Sequence, residues 1–462
     1  MKHDYRAALG AWRAAWIVAC TSATAGFASR AALAQVPDTA AVKIHLADAI
    51  GAAQRNSPQA IQAHGQIGTA VTEERTSYAA FLPTVSVGVN SSFANQGGAR
   101  GGGGSVLTGA NGSPIVTGNG GTNASYRSTG TVTASMTVLD WGQRVFNLRA
   151  ARADVAAAEA SSAAQTYNIA YSVTQAFYSA LAAREALAAA QVQLALADST
   201  QRIANVMVRA RTAILSDSLR AAIQTSTARV AIATALNNLA SANANLSRLT
   251  ASPVTVTADP ADSGVTFAPL PDTTTLQRLA ASGPTVQQAA ATQRASTEQQ
   301  RSARAAFLPQ VDANYSFTGN GQNAYLGLGD PYTYGNRFSL SLSLPVLDQF
   351  QREAALERAQ IAAMNAGASS RDARLAARQS LSQALGTLQL AGERITEQTA
   401  SIRAAQEDLR VQLERYRLHE ATIVDVLTSQ NTLTQAQSAL IQARYDYRAA
   451  RAQIEAIIGR RL

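Results

Sequence analysis

Twice along the chain the spacing of apolar residues switches abruptly. From Thr131 to Arg144 the residues read TVTASMTVLDWGQR, and from Ser339 to Arg352 they read SLSLSLPVLDQFQR. In each, apolar and polar positions alternate, run through Val-Leu-Asp, and give way to an Ala-rich stretch with a helical period. The alternation predicts strands over about 129–139 and 337–347, and the second period predicts long helices over about 142–210 and 350–417. Val132, Ala134, Met136 and Val138 share one strand face, opposite Thr131, Thr133, Ser135 and Thr137. Phe338, Leu340, Leu342 and Leu344 likewise oppose Ser339, Ser341 and Ser343. Two more alternating stretches follow Phe-Leu-Pro at 81–83 and 307–309 and predict strands over about 82–93 and 308–318. There Val85, Val87, Val89 and Phe93 alternate with polar residues, as do Val311, Ala313, Tyr315 and Phe317.

The rest of the pattern is helical. Asp38 to Asn56 reads as a short helical segment, after which Ser57 caps a new helix with Pro58 in its first turn. Asn95 to Ser125, with four glycines at 101–104, reads as a long exposed hairpin loop. Val173, Ala180, Leu187, Leu194 and Val208 mark a seven-residue line in the first long helix, interrupted at Gln201. In the second, Leu381, Leu388, Ile395, Ile402, Leu409 and Tyr416 keep strict sevens, which impose a left-handed supercoil. Return helices are expected over about 216–250 and 424–459.

This plan is a duplication. Pro58 matches Pro284 and Pro83 matches Pro309 at one offset; Asp140 matches Asp348 and Asp217 matches Asp425 at a second, shorter one, the difference being the Gly-rich loop. The expected division is 1–34 as an export signal, 35–250 as the first repeat, 251–271 as a proline-containing linker and 272–462 as the second repeat. At a rise of about 1.5 Å per residue the long helices extend on the order of 100 Å and the return helices about half of that. The helix entering each hairpin fills the remainder by stacking end to end with a return helix.

Composition narrows the class. The 462 residues are 47% hydrophobic but only 6% aromatic and 15% charged, the make-up of close-packed Ala-rich helices. Lys2, Arg6 and Arg13, a small apolar run and Ala32-Leu33-Ala34 form an export signal. Ile17-Val18-Ala19-Cys20 offers a lipoprotein box as the alternative route. Cys20 is the single cysteine, so the processed chain has no disulfide. The net charge of +9 comes from arginines scattered around the helices, a pattern that argues against nucleic acid. No apolar run reaches the ~18 residues of a membrane helix, so any crossing must use strands.

Four strands of about ten residues have the length to cross a bilayer when tilted, but four cannot close a barrel, and lipid tolerates no open edge. Subunits must therefore share one barrel. Two copies give eight strands, filled by side chains; three give twelve, wide enough for a lumen. Val132, Met136, Tyr315, Phe317, Leu340 and Leu342 are the expected lipid-facing residues, and Phe81, Trp141, Phe307 and Phe350 form an aromatic girdle at the helix side.

The duplicated strand-to-helix plan, the Phe-Leu-Pro starts and Thr422-Ile423-Val424-Asp425-Val426-Leu427 before a long Ala/Gln-rich helix resemble the outer membrane efflux protein family of TolC-like outer membrane factors. The resemblance covers about residues 40–460. It implies a mainly α fold with transmembrane β: duplicated helical hairpins form an α-helical barrel in the periplasm, and four strands per chain enter a 12-stranded barrel shared by a homotrimer in the outer membrane. It also implies docking to a periplasmic adaptor (membrane fusion protein) and an inner-membrane RND, ABC or MFS pump. By the same resemblance Asp425 and its counterpart Asp217 constrict the periplasmic entrance, and Tyr416 holds neighbouring coils together. Arg211, Thr212, Ala213 and Ile214 form one adaptor-contacting turn, and His419, Glu420, Ala421 and Thr422 form the other. Family patterns often place Gly where Arg211 and His419 stand, Arg where Ala421 stands and a second acid where Thr428 stands. A ring of Asp425 carboxylates around a three-fold axis would raise their pKa by mutual repulsion.

No catalytic constellation is visible. His3, His45, His64 and His419 are isolated, with no metal-ligand partner at helical spacing, and no cofactor is implied. A passive export duct is the reading; the alternative is a periplasmic coiled-coil scaffold or adaptor that never enters lipid.

Overall fold

The computed structural model describes residues 41–96, 106–108, 114–116, 123–264, 271–322 and 332–462. The export signal and Cys20 lie outside the described residues. Among the described residues the first element is a strand, β1 (Val42–Ile44), followed by α1 (Leu46–Asn56) and α2 (Pro58–Ala79). Strands β2 (Thr84–Gln96), β3 (Val106–Thr108), β4 (Pro114–Val116) and β5 (Asn123–Leu139) lead to α3 (Gln143–Arg209), the return helix α4 (Leu215–Leu249) and β6 (Val256–Ala258). Then come α5 (Thr273–Ala280), α6 (Pro284–Ala305), β7 (Gln310–Gln322), β8 (Tyr332–Ser343), α7 (Gln351–Arg417) and α8 (Ile423–Ile458). Both long helices have 67 residues, hence about 100 Å of axis.

Three expectations need correction. The segment expected to be helical from Asp38 contains β1, which pairs in parallel with β6 of the linker. Val42 and Lys43 are exposed, and the short apolar run gave no period to separate strand from helix. The linker is therefore tied back to the start of the chain, and Asp262 beside it accepts the backbone N–H of Leu46 at 3.0 Å. Within the loop expected to be unstructured, β3 and β4 form a small antiparallel pair. At the second junction the strand ends at Ser343, with seven residues between it and α7, so the switch of period there is less direct than at Leu139.

The buried line of α7 is the heptad line: Leu381, Leu388, Ile395, Leu409 and Tyr416 are buried against α8, which supplies Val426, Tyr447 and Ile454. In α3 the lower half departs from the expected line. Leu187, Leu194 and Val208 are only half-buried, while Ala190, Ala197, Thr200, Ala204 and Met207 are buried. A straight helix drifts about 20° per heptad, and small alanines let the neighbouring backbone come close, so the seam moves onto them. End-to-end stacking is visible where α6 begins: a Cβ on Gly283 would lie 2.1 Å from the Ile457 carbonyl oxygen near the end of α8. Only glycine permits that approach.

One antiparallel sheet in the order β2-β5-β7-β8 stands above the helices. Among the described residues β2 and β8 are its edges, each paired on one side only.

Candidate functional site

The register sorts the sheet into two faces. Val87 pairs with Val132 and Val132 with Phe317; Ala134 pairs with Tyr315 and Tyr315 with Phe338; Met136 pairs with Ala313 and Ala313 with Leu340. All of these share one face with Leu342. The face is open in the single chain: Leu342 is 71% exposed and Val87 74%. The six residues expected to meet lipid, Val132, Met136, Tyr315, Phe317, Leu340 and Leu342, all lie on it. The opposite face carries hydroxyls, carboxamides and carboxylates that bond across strands. Thr84 and Ser135 lie 2.6 Å apart, Thr129 donates to the Asn320 carboxamide oxygen at 3.1 Å and Thr137 donates to the Asp312 carboxylate at 2.8 Å. Such a ladder keeps the polar face hydrogen-bonded whether or not water reaches every rung.

Below the sheet the duplication builds the same latch twice. Arg144 donates through Nε to Asp140 at 2.8 Å and lies 5.0 Å over the Phe81 ring. Arg352 donates through Nε to Asp348 at 2.8 Å and lies 5.0 Å over the Phe307 ring. Each Asp sits four residues before its Arg, so the first turn of the long helix brings them together. Each Phe belongs to a Phe-Leu-Pro, so the latch fixes where one chain segment enters the sheet relative to where the next leaves it. Trp141 and Phe350, both with left-handed backbone, are exposed at the same level.

At the far end the two helical hairpins turn. Ala210 and Leu418 end their helices in matching fashion: Thr212 N–H reaches Met207 O at 2.9 Å and Glu420 N–H reaches Arg415 O at 2.8 Å. In that motif the residue after the cap adopts left-handed φ, which glycine favours. Here Arg211 has φ 61° and His419 φ 65°. The departures from the family pattern thus fall where the backbone asks for glycine.

Asp425 is exposed and completes a capping box: Thr422 receives the Asp425 N–H, and the Asp425 carboxylate accepts the Thr422 N–H at 2.8 Å. Hydrogen bonds from the Thr422 backbone and side chain hold the Asp425 carboxyl below the usual carboxylate value, aided by nearby Arg415. In the single chain the effect runs against the rise expected from mutual repulsion. Asp217 occupies the equivalent third position of α4, but Ile214 stands at the cap and supplies no side-chain acceptor. Asp217 is half-buried beside Tyr416. Burial, then the Asp217 charge, pushes the Tyr416 hydroxyl up.

Tyr416 packs with Met207, Leu409, Ile423 and Val426, and Ala213 lies against this cluster, so both turns share one small core. Arg211, Thr212, Ile214, His419, Glu420 and Thr422 are exposed around it, and Ala421 is half-buried. Thr428 donates back to the Val424 carbonyl at 2.8 Å and adds no charge.

Sequence reasoning missed one polar link. Gln430 on α8 donates through Nε2 to Thr200 Oγ1 on α3 at 2.7 Å, with both side chains buried. It ties the hairpin of one repeat to that of the other. The signal was present, since Gln430 lies four residues after Val426 and three before Leu433, a core-spaced position.

Among the described residues no helix is long and apolar enough to cross a membrane, which says nothing of strands. The chain is similar to solved structures of outer-membrane channels. It matches CusC, reported for conformational changes accompanying folding and transmembrane channel formation, with TM-score 0.74 and 18% identity over 92% of this chain and 96% of that one. It matches VceC of Vibrio cholerae with TM-score 0.71 and 18% identity over 90% and 96%. It matches the open state of MtrE of Neisseria gonorrhoeae with TM-score 0.73 and 20% identity over 90% and 89%. No curated protein matches the chain in sequence. The family description "Outer membrane efflux protein" fits residues 49–252 and 275–460, each carrying one copy of the duplicated plan, and the chain therefore belongs to the outer membrane efflux protein family.

Proposed function

We propose that three copies of this outer-membrane efflux channel close one 12-stranded barrel, with the helices continuing into the periplasm as a tube. The observation that carries the reading is the open four-stranded sheet: two edges unpaired among the described residues, one exposed apolar face and one hydrogen-bonded polar face. In hydrocarbon every backbone N–H and C=O must be paired, so β2 of one copy has to find β8 of the next. Three copies leave a lumen lined by the polar face. The periplasmic scaffold alternative leaves the apolar face without a solvent that suits it.

The turns at the far end serve as the entrance and the adaptor-contacting surface, in line with the trans-periplasmic role of the family. Ile214, Leu215, Leu418 and Val424 are exposed there beside Arg211, His419 and Glu420, a mixed apolar and charged surface suited to helix tips of a periplasmic adaptor and, through it, an inner-membrane pump. Asp425, kept ionised by its cap, forms a three-fold acidic ring that favours cations, with Asp217 held back behind Tyr416. Energy for export comes from the pump; the duct itself is passive.

Single-channel conductance in planar bilayers tests this. The native channel is expected to prefer cations and to be blocked by multivalent ones, and Asp425→Asn to weaken both effects, whereas Asp217→Asn changes them less. Unchanged selectivity and block in Asp425→Asn would reduce Asp425 to a helix-capping residue.

A further inference from the structure

Just below the sheet, between the start of α3 and the end of α6, lies a cavity of about 500 Å³ lined by Phe146, Arg149, Arg301, Arg304, Ala305 and Leu308. We infer that this cavity binds the phosphate of an anionic phospholipid from the periplasm-facing leaflet, with the first part of its acyl chains against Phe146 and Leu308. The inference rests on the outer-membrane reading above.

Three observations lead to it. The first is charge. Three guanidinium groups line one small space and no acid does so among the described residues; Glu298, one turn before Arg301 on α6, pairs with Arg301 at 2.5 Å. Arg149 lies 5.7 Å over the Phe146 ring, a contact that orients the group without neutralising it. The Arg304 side chain has no ion-pair partner among the described residues and is exposed. The dipoles meeting here offset, since α3 presents its N-terminal end and α6 its C-terminal end, so the side chains carry the net positive charge. Guanidinium forks suit phosphate oxygens better than any other cationic side chain.

The second is depth. Leu308 precedes β7 by two residues and Phe146 is in the first turn of α3, four residues after the φ 94° turn at Gly142. The site is therefore level with the latches that join helix to strand, where a barrel passes from hydrocarbon to headgroups. Leu308 is 46% exposed, so an open apolar side chain stands beside the arginines at the foot of β7. Apolar contact above and cation below is the order in which a phospholipid presents its parts.

The third is direction. Residues 146, 153, 160, 167 and 174 are successive sevens along one side of the upper part of α3, above the stretch where the seam shifts. Tyr167 and Thr174 on that line wall a cavity shared with Ile50 and Gln54 of α1 and with Ala452 and Glu455 near the end of α8. The face bearing α1 must be the outside of the tube, because a conduit leaves its inner face open. Phe146 thus faces outward, toward lipid and away from cargo.

The test is native mass spectrometry of the full chain in detergent, titrated separately with phosphatidylglycerol, phosphatidylcholine and inorganic phosphate, for the native protein and for Arg149→Gln/Arg304→Gln. The native protein is expected to bind phosphatidylglycerol at least about fivefold more tightly than phosphatidylcholine, and the variant to lose that preference while still forming the same oligomer. Equal binding of the two lipids by the native protein, an undiminished preference in the variant, or displacement of phosphatidylglycerol by equimolar inorganic phosphate would each overturn the inference. Fractionation of cell membranes separates this from the reading beneath it. A chain absent from the outer membrane sinks the membrane assignment, whereas a chain inserted there without lipid preference sinks only the headgroup site.

Discussion

Replacing Thr200 by Val should destabilise the packed helical hairpins more than replacing Gln430 by Met, although the two residues share one hydrogen bond. Both are buried, at 1% and 3% exposure, and Gln430 Nε2 reaches Thr200 Oγ1 at 2.7 Å. The Thr200 hydroxyl also donates to the Leu196 carbonyl at 3.1 Å, one turn back on its own helix. Thr200→Val preserves shape but strands the carboxamide donor of Gln430 inside the seam, which costs about 1–3 kcal/mol per chain. Gln430→Met leaves the hydroxyl still bonded to Leu196 and fills the space with a flexible apolar chain, so its cost is about 1 kcal/mol or less. The double variant presents Val to Met and should be close to native, giving a coupling about as large as the two single losses together, on the order of 1–3 kcal/mol in a double-mutant cycle. The assay is urea-induced loss of helical circular dichroism in detergent, comparing midpoints across the four proteins. If Thr200→Val matches the native midpoint, or if the double variant loses as much as the two single variants together, the link does not tie α3 to α8 as described.

Leu342→Arg should sharply reduce recovery of protein from the outer membrane while Ser341→Arg is tolerated, because an Arg at the bilayer midplane costs ~2–4 kcal/mol per chain on the lipid face and little on a wet one; equal recoveries in membrane fractions would mean the faces are assigned wrongly. Ile214→Thr should stabilise the start of α4 by about 1 kcal/mol, since it supplies the missing acceptor and Ile214, 65% exposed, gives up little burial; hydrogen exchange of the 214–218 amides should slow, and faster exchange would contradict the capping account. The Asp425 carboxyl is held below its ordinary value of 3.8, so its contribution to the turn is complete above that value and is lost as pH falls through the lower folded value. Proteolysis at 418–424 should thus stay flat from pH 7 down to about pH 4 and rise only below it, and a rise near pH 6 would show that ring repulsion outweighs the cap.

What the sequence made legible depended on spacing. The period switch at Leu139–Gln143 coincides with the end of β5 and the start of α3, because strand alternation and the helical repeat are both local properties of consecutive residues. The buried line of α7 was equally readable, since Leu381 through Tyr416 offer large side chains every seven residues. Less visible was anything set by partners far along the chain. Val42–Ile44 is a strand because Val256–Ala258 lies beside it, and three residues carry no period of their own. In α3 the large Leu187 and Leu194 dominate the apolar pattern over the alanines that hold the seam, and this hides Thr200 although Met207 seven residues later is buried. At the turns, Arg211 and His419 could be recognised as departures, but that they bear left-handed backbone emerges only from φ. Arg149 of the headgroup cavity is 152 positions from Arg301 and 155 from Arg304, on a helix of the other repeat, and no motif joins them.

The central claim is that identical copies close the sheet through its two edges, and disulfide trapping across those edges tests it most directly. Cys20 is the single cysteine of the chain, so introduced cysteines report cleanly once it is replaced or removed by processing. Val85, Val87 and Val89 on β2 would each be paired with Phe338, Leu340 and Leu342 on β8 in double-cysteine variants and oxidised in membranes. The account predicts that the pairs in register form bonds between chains, giving dimers and a closed covalent trimer on a denaturing gel and no larger species. Bonds forming only within one chain, a ladder that stops at two or runs past three, or no bond for any pair would contradict it.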